Sequence, residues 1–433
     1  MSRYFGLGLL FIFTICFSAC SLKQERPKPD LDHFDINESR KDINFLILEA
    51  LMNQHDDVNQ TRSLQIYERL YNKTQELPYL MEALRLSFDL DDHVRASRLL
   101  DSGLKKFPQN DQLMKFYIND LLHNKEYKKA QHIIHKLLEK DKSSENYAIL
   151  AYVYHFQKEY KRALLYYKKA YSLDLGEDIL LKIVNLLDEN LHQTKKAVEY
   201  LESHIRLQKS SKEIYYKLLQ IYGRQTDVGG LISTFKLLYK NFSDEQFAKK
   251  VIELYMYEKD KSGVIDFLKQ SGYNPDMLMD LYAEDEQYLQ AQKVAKKQYK
   301  KTKNVEYLGR MAIYEYEANK NNINAKILNS ISKKFEEVVE KMQLPLYLNY
   351  YGYLLIDHEV DIDKGVRYVQ MALEKEPDSI YYIDSLAWGY YRQGKCKDAL
   401  TQMEKIINKS NEEEIKKHHR IIKECLKKNN EFK

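Results

Sequence analysis

Residues 144–177 read SENYAILAYVYHFQKEYKRALLYYKKAYSLDLGE, and their spacing decides the fold. Ala151 is followed twelve residues later by Ala163 and seven after that by Ala170, with Tyr147, Leu150, Tyr154 and Tyr167 around them. Apolar residues three and four apart share one face of an α-helix. Small residues recurring among them mark places where two helix backbones come close, because extra methylenes there would overpack the crossing. Two antiparallel helices and two turns take about 34 residues. The stretch therefore predicts a helix pair, and the chain repeats it.

Residues equivalent to Ala163 fall at Ser63, Ala96, Ala130, Ala197, Leu231 and Val264, in steps of 33, 34, 33, 34, 34 and 33. Pro108 closes the second unit. After Val264 the register slackens: Ala291 comes 27 residues later, and 300–344 fits poorly. It returns with Gly352 and Ala387, which are 35 apart. Ala372 and Pro377 close one unit, Leu386 and Ala399 mark the next, and one residue is inserted near Asp361. The pattern resembles the tetratricopeptide repeat, although Leu175 stands where that family usually has a closing Pro.

The resemblance implies an all-α, right-handed superhelical solenoid of about eleven helix pairs over 42–411. The expected divisions are an N-terminal array at 42–273, irregular helical repeats at 274–344, C-terminal repeats at 345–411, and a polar capping helix and tail at 412–433. Arrays of this kind need such a cap for solubility. In the family, the first helix of each pair lines a concave groove that holds a protein or peptide partner. Carried over around Ala387, its groove positions are Asp384, Trp388, Tyr391 and Arg392, with Tyr381 one turn earlier. Around Gly352 they are Asn349, Tyr353, Ile356 and Asp357. Around Ala151 they are Ala148, Tyr152, His155 and Phe156. Trp388, the only Trp, has two readings: a groove residue, or a filler of the seam to the capping helix.

Composition agrees with long helices and short connections. The chain has 433 residues but only 14 Gly and 7 Pro, too few for the turns of a large sheet protein. Its 36 Tyr suit helix packing or a wet groove. Charged residues make up 30% with a net charge of +4, and they are interspersed, as in Lys158-Glu159-Tyr160-Lys161-Arg162. Nucleic-acid binding needs a localised basic excess, so none is expected.

Residues 4–18 are apolar behind Arg3, too short for a comfortable bilayer span, and they lead into Phe17-Ser18-Ala19-Cys20. This resembles a bacterial lipobox, with Phe17 where Leu is usual. The resemblance implies a signal peptide at 1–19, lipid on Cys20, a flexible tether at 20–41, and a cell-envelope location. Ser21 after the Cys implies the outer membrane, facing the periplasm.

No phosphate loop, nucleophile elbow or His-Glu-x-x-His motif occurs, so neither enzyme activity nor a cofactor is expected. His132 and His135, and His418 and His419, read as surface residues rather than metal ligands. Cys396 and Cys425 lie at matching heights on two helices if the turn centres near 410–411. Height does not fix azimuth, so a disulfide and two separate thiols both remain open. The expected function is a membrane-anchored periplasmic scaffold that binds a protein or peptide in envelope or motility-complex assembly. The alternative is a glycan- or peptide-binding receptor lipoprotein beside an outer-membrane transporter.

Overall fold

The computed structural model describes residues 43–53 and 59–431. The expected signal peptide at 1–19, lipidation site Cys20 and tether at 20–41 lie outside the described residues. Within them there are twenty-three α-helices and no strand. They form two compact units, one ending at Tyr200 and the other beginning at Leu201.

The first unit runs α1 (Ile43–Asn53), α2 (Gln60–Thr74), α3 (Leu77–Asp89), α4 (His93–Lys106), α5 (Asp111–His123), α6 (Tyr127–Lys140), α7 (Ser144–Phe156), α8 (Tyr160–Leu173) and α9 (Glu177–Asn185). A π-helical stretch, Leu186–Asn190, continues α9, and α10 (Thr194–Leu207) contains the boundary between units. Odd-numbered helices open the pairs and even-numbered ones close them. The ladder residues sit in the closing helices: Ser63, Ala96, Ala130, Ala163 and Ala197 are all fully buried. Ser63 is tolerated in that place because its hydroxyl donates to the Ala50 carbonyl at 2.9 Å, which satisfies a buried polar group.

A recurrent turn design appears inside several of the pairs. Lys158 takes a left-handed φ of 61°. The amides of Lys158 and Glu159 then donate back to the carbonyls of His155 and Tyr154, both at 2.9 Å, closing α7. Asp91, Lys125, Lys259, Glu286 and Glu359 hold the same left-handed place in their turns.

The second unit continues with α11 (Lys212–Gln225), α12 (Val228–Phe242), α13 (Glu245–Tyr257), α14 (Lys261–Ser271), α15 (Pro275–Glu284), α16 (Tyr288–Thr302), α17 (Val305–Asn319) and α18 (Ala325–Lys341). It ends with α19 (Pro345–Asp357), α20 (Ile362–Lys375), α21 (Ile380–Arg392), α22 (Cys396–Glu404) and α23 (Glu413–Glu431). The stretch 274–344 is still built of helix pairs. Its sequence register slackens because α14 and α15 are only 11 and 10 residues long while α18 has 17. At Leu231 the side chain is only half-buried, and Ile232 turns inward beside it. The core runs through Val264, Met279, Ala291, Phe335 and Leu348.

At the α19–α20 crossing the two backbones come close. A Cβ on Gly365 would lie 2.6 Å from the Gly352 carbonyl oxygen, and one on Gly352 would lie 2.8 Å from that of Gly365. Only glycine fits on both sides. The inserted residue belongs to the turn at 358–361, four residues long against three at 157–159. Its last member, Asp361, accepts from the Lys364 amide at 2.9 Å and caps α20.

Candidate functional site

The second unit carries a cavity of about 510 Å³ built from the opening helices α17, α19 and α21 and closed by α23. Each opening helix spends one face on its closing partner, as Gly352 and Ala387 show, and turns another toward the cavity. From α19 that face brings Asn349, Tyr350 and Tyr353; from α21 it brings Tyr381, Tyr382, Asp384 and Ser385. Tyr316 and Glu317 come from α17, Lys320 from its C-cap, and Glu414 from the first turn of α23.

Its electrostatics are acidic. Glu317, Glu376, Asp384 and Glu414 face the cavity against a single cation, Lys320. Lys320 pairs with Glu317 at 3.1 Å. The Tyr353 hydroxyl donates to Glu414 at 2.9 Å. Burial, followed by the Asp357 and Glu414 carboxylates, pushes the Tyr353 phenol well above its usual range. Burial also raises Tyr316, with Asp357, Glu317 and Glu414 adding to it, and raises Tyr350, with Glu317 adding to it. Tyr382 is pushed up to about 12 by burial and by Glu376. Asn349 Oδ1 is a buried acceptor with no hydrogen-bond partner among the described residues.

Beside the cavity lies a buried clasp. Trp388 is 8% exposed. Its ring stacks on His418 with centroids 4.1 Å apart and on Tyr391 at 4.8 Å. Its Nε1–H donates to Asp357 Oδ1 at 2.9 Å. The Arg392 guanidinium lies 5.2 Å from the indole centroid, donates to the Asp357 carbonyl at 2.9 Å, and pairs with Glu359 at 2.6 Å. His418 Nδ1 faces Asp384 Oδ2 at 2.9 Å, so that nitrogen carries the proton and donates it. The surface reading of His418 is thereby corrected: it is 4% exposed, because α23 turns it onto Asp384 and Trp388. The same helix is fastened by a disulfide between Cys396 and Cys425, whose Cα atoms are 5.9 Å apart.

Of the residues selected from sequence, Asn349, Tyr353, Tyr381 and Asp384 meet at the cavity. Trp388, Tyr391, Arg392 and Asp357 form the clasp in the seam to α23 instead, because their chemistry is spent on one another and on His418. Tyr152 and His155 belong to α7 of the first unit. There Tyr152 packs edge-on to Phe156 at 4.8 Å, and His155 is held below its usual range by burial and by Lys182.

Sequence reasoning missed Tyr316, Glu317 and Lys320, because the slack register of 300–344 hid the groove positions of α17. It also missed Glu376 and Glu414, which lie outside the opening helices. Among the described residues no group of three His, Cys, Asp or Glu is placed to hold a metal, and no helix is long and apolar enough to cross a membrane.

No family model and no curated protein matches the sequence. Solved structures do. The Cut9 and Hcn1 hetero-tetramer of the APC/C is similar at 10% identity over 88% of this chain and 96% of that one, with a TM-score of 0.41. The TPR domain of P58(IPK) is 13% identical over 81% and 98%, with a TM-score of 0.28. MamA 41-end from Desulfovibrio magneticus RS-1 is 16% identical over 38% and 94%, with a TM-score of 0.32. These likenesses concern the helical path and nothing more.

Proposed function

We propose that this chain is a non-catalytic scaffold that captures a protein or peptide segment in the cavity of its second unit, held at a membrane by lipid on Cys20 and facing the periplasm. The observation that carries the reading is the cavity itself. Three successive opening helices and the capping helix converge on one volume, and they line it with aromatic faces and polar groups. Aromatic residues dominate binding hot spots because they combine large area with directed polar contact. Tyr381 is 57% exposed, so it is free to make such a contact. Envelope or motility-complex assembly is the setting we favour, on the strength of the lipobox-like Phe17-Ser18-Ala19-Cys20.

The test is a crosslinked pull-down from intact cells with three chains: wild type, Cys20→Ala and Tyr381→Ala. The reading expects a protein captured by wild type and lost from Tyr381→Ala. With Cys20→Ala, both chain and partner should leave the membrane fraction. Equal capture by wild type and Tyr381→Ala would contradict it.

One observation favours a second reading. A volume of about 510 Å³ walled by tyrosines also suits a small ligand such as a glycan. Thermal stabilisation by glycans, with no protein captured, would favour that reading.

A further inference from the structure

We infer that the cavity recognises a positively charged segment of its partner, seating a Lys or Arg side chain among its tyrosines and carboxylates. The inference rests on the cavity being the capture site. It is carried by an imbalance in what the lining offers. Four carboxylates face one ammonium, and Glu317 already holds that ammonium. Asp384 is engaged by His418. Glu376 and Glu414 are met by phenols, Tyr382 and Tyr353, and Lys320, whose ion pair is with Glu317, acts on Glu414 only as a neighbouring charge. Asn349 adds a buried acceptor oxygen that no donor among the described residues reaches. The Tyr353 hydroxyl, which could have supplied a donor, is spent on Glu414.

A site with surplus acceptors selects a ligand rich in N–H donors and positive charge. Guanidinium carries five such donors and ammonium three. Aromatic faces add to the attraction, since a cation over a tyrosine ring is stabilised by the ring quadrupole. Tyr381 offers an exposed ring for this, and Tyr316 and Tyr350 line the same wall.

The alternatives fare worse on the same groups. An anionic ligand would place like charges together while displacing water. An apolar helix would cover carboxylates and leave them unpaired, which is costly. The whole chain carries a net charge of +4, so a polycation is drawn here by the local lining and not by the protein at large. The cavity is larger than one alkylammonium needs. Three successive opening helices contribute to it, which leaves room for the flanking backbone of a peptide.

The test uses the full chain and labelled hexa-lysine, hexa-arginine, hexa-glutamate and hexa-serine, with binding read by fluorescence anisotropy. Two cavity variants, Glu414→Gln and Glu376→Gln, remove charge from exposed side chains and leave the core alone; unchanged melting curves verify folding. Glu258→Gln, exposed in the same unit and outside the cavity lining, is the control. The proposal expects the cationic peptides to bind at least about tenfold more tightly than hexa-glutamate, and each cavity variant to weaken them several-fold while the control does not. Binding should also weaken with salt.

If hexa-serine or hexa-glutamate binds as well and Tyr381→Ala alone abolishes it, the capture site stands and the charge preference falls. If no binding responds to Tyr381→Ala, both fall. Spermidine separates the sources of the same ammonium chemistry: competition at concentrations matching hexa-lysine would replace the peptide with a small polyamine and overturn the assignment.

Discussion

At the scale of single residues, two aromatic side chains of α21 lie close in the chain and do different work. Tyr381 projects into the cavity and is 57% exposed, while Trp388, seven residues on, is 8% exposed in the clasp. Trp388→Ala removes a stacked, hydrogen-bonded indole and is expected to cost about 3–5 kcal/mol, the usual range for truncating a buried Trp. Tyr381→Ala removes an exposed ring and is expected to stay within about 0.5 kcal/mol of wild type. Urea unfolding of the two variants checks the contrast, and equal losses would place Trp388 outside the core. Gly365 supplies a second prediction. The Cβ of Gly365→Ala would meet the Gly352 carbonyl oxygen at 2.6 Å, and because that neighbour is backbone the helices must part. A loss of about 1–3 kcal/mol is expected, read from the same unfolding curves.

At the scale of elements, α23 is the helix on which the site depends, since it supplies Glu414 to the cavity and His418 to the clasp. The Cys396–Cys425 bridge holds it against α22 across a sequence separation of 29. In the loop-entropy picture such a bridge contributes about 3–4 kcal/mol. Cys425→Ser is therefore expected to lower stability by that order and to speed amide exchange first in α22 and α23. Uniform exchange along the chain would show that the bridge does not govern this end. The paired helices were legible from sequence because buried small residues recur in register: Ala96, Ala130, Ala163 and Ala197 are all fully enclosed. The cavity was legible only in part. Asn349, Tyr353, Tyr381 and Asp384 follow from their offsets to Gly352 and Ala387. Glu414 and Tyr316 do not, because no spacing rule relates a capping helix or an off-register helix to a groove. Trp388 was ambiguous for a related reason: its offset suits a groove, and only the arrival of His418 from α23 turns it into seam.

At the scale of the whole molecule, the abundance of tyrosine gives folding a pH dependence. Burial pushes Tyr347 and Tyr382 up to about 12. These phenols hold their protons more tightly in the folded chain than in the unfolded one, where the value is near 10. Their contribution is therefore complete below about pH 10 and is lost as pH rises towards 12. Phenolate absorbance followed together with circular dichroism should show these tyrosines ionising as helicity is lost between those limits; free ionisation with helicity intact would contradict their burial. The central claim is that one cavity in the second unit captures the partner. A photo-crosslinking residue placed at Tyr381 tests it most directly, with the same residue at Tyr216, exposed in the same unit but outside the lining, as the control. The account predicts a discrete adduct from position 381 in intact cells, absent from position 216 and diminished by Glu414→Gln. Equal adducts at both positions, or adducts at 216 alone, would contradict it.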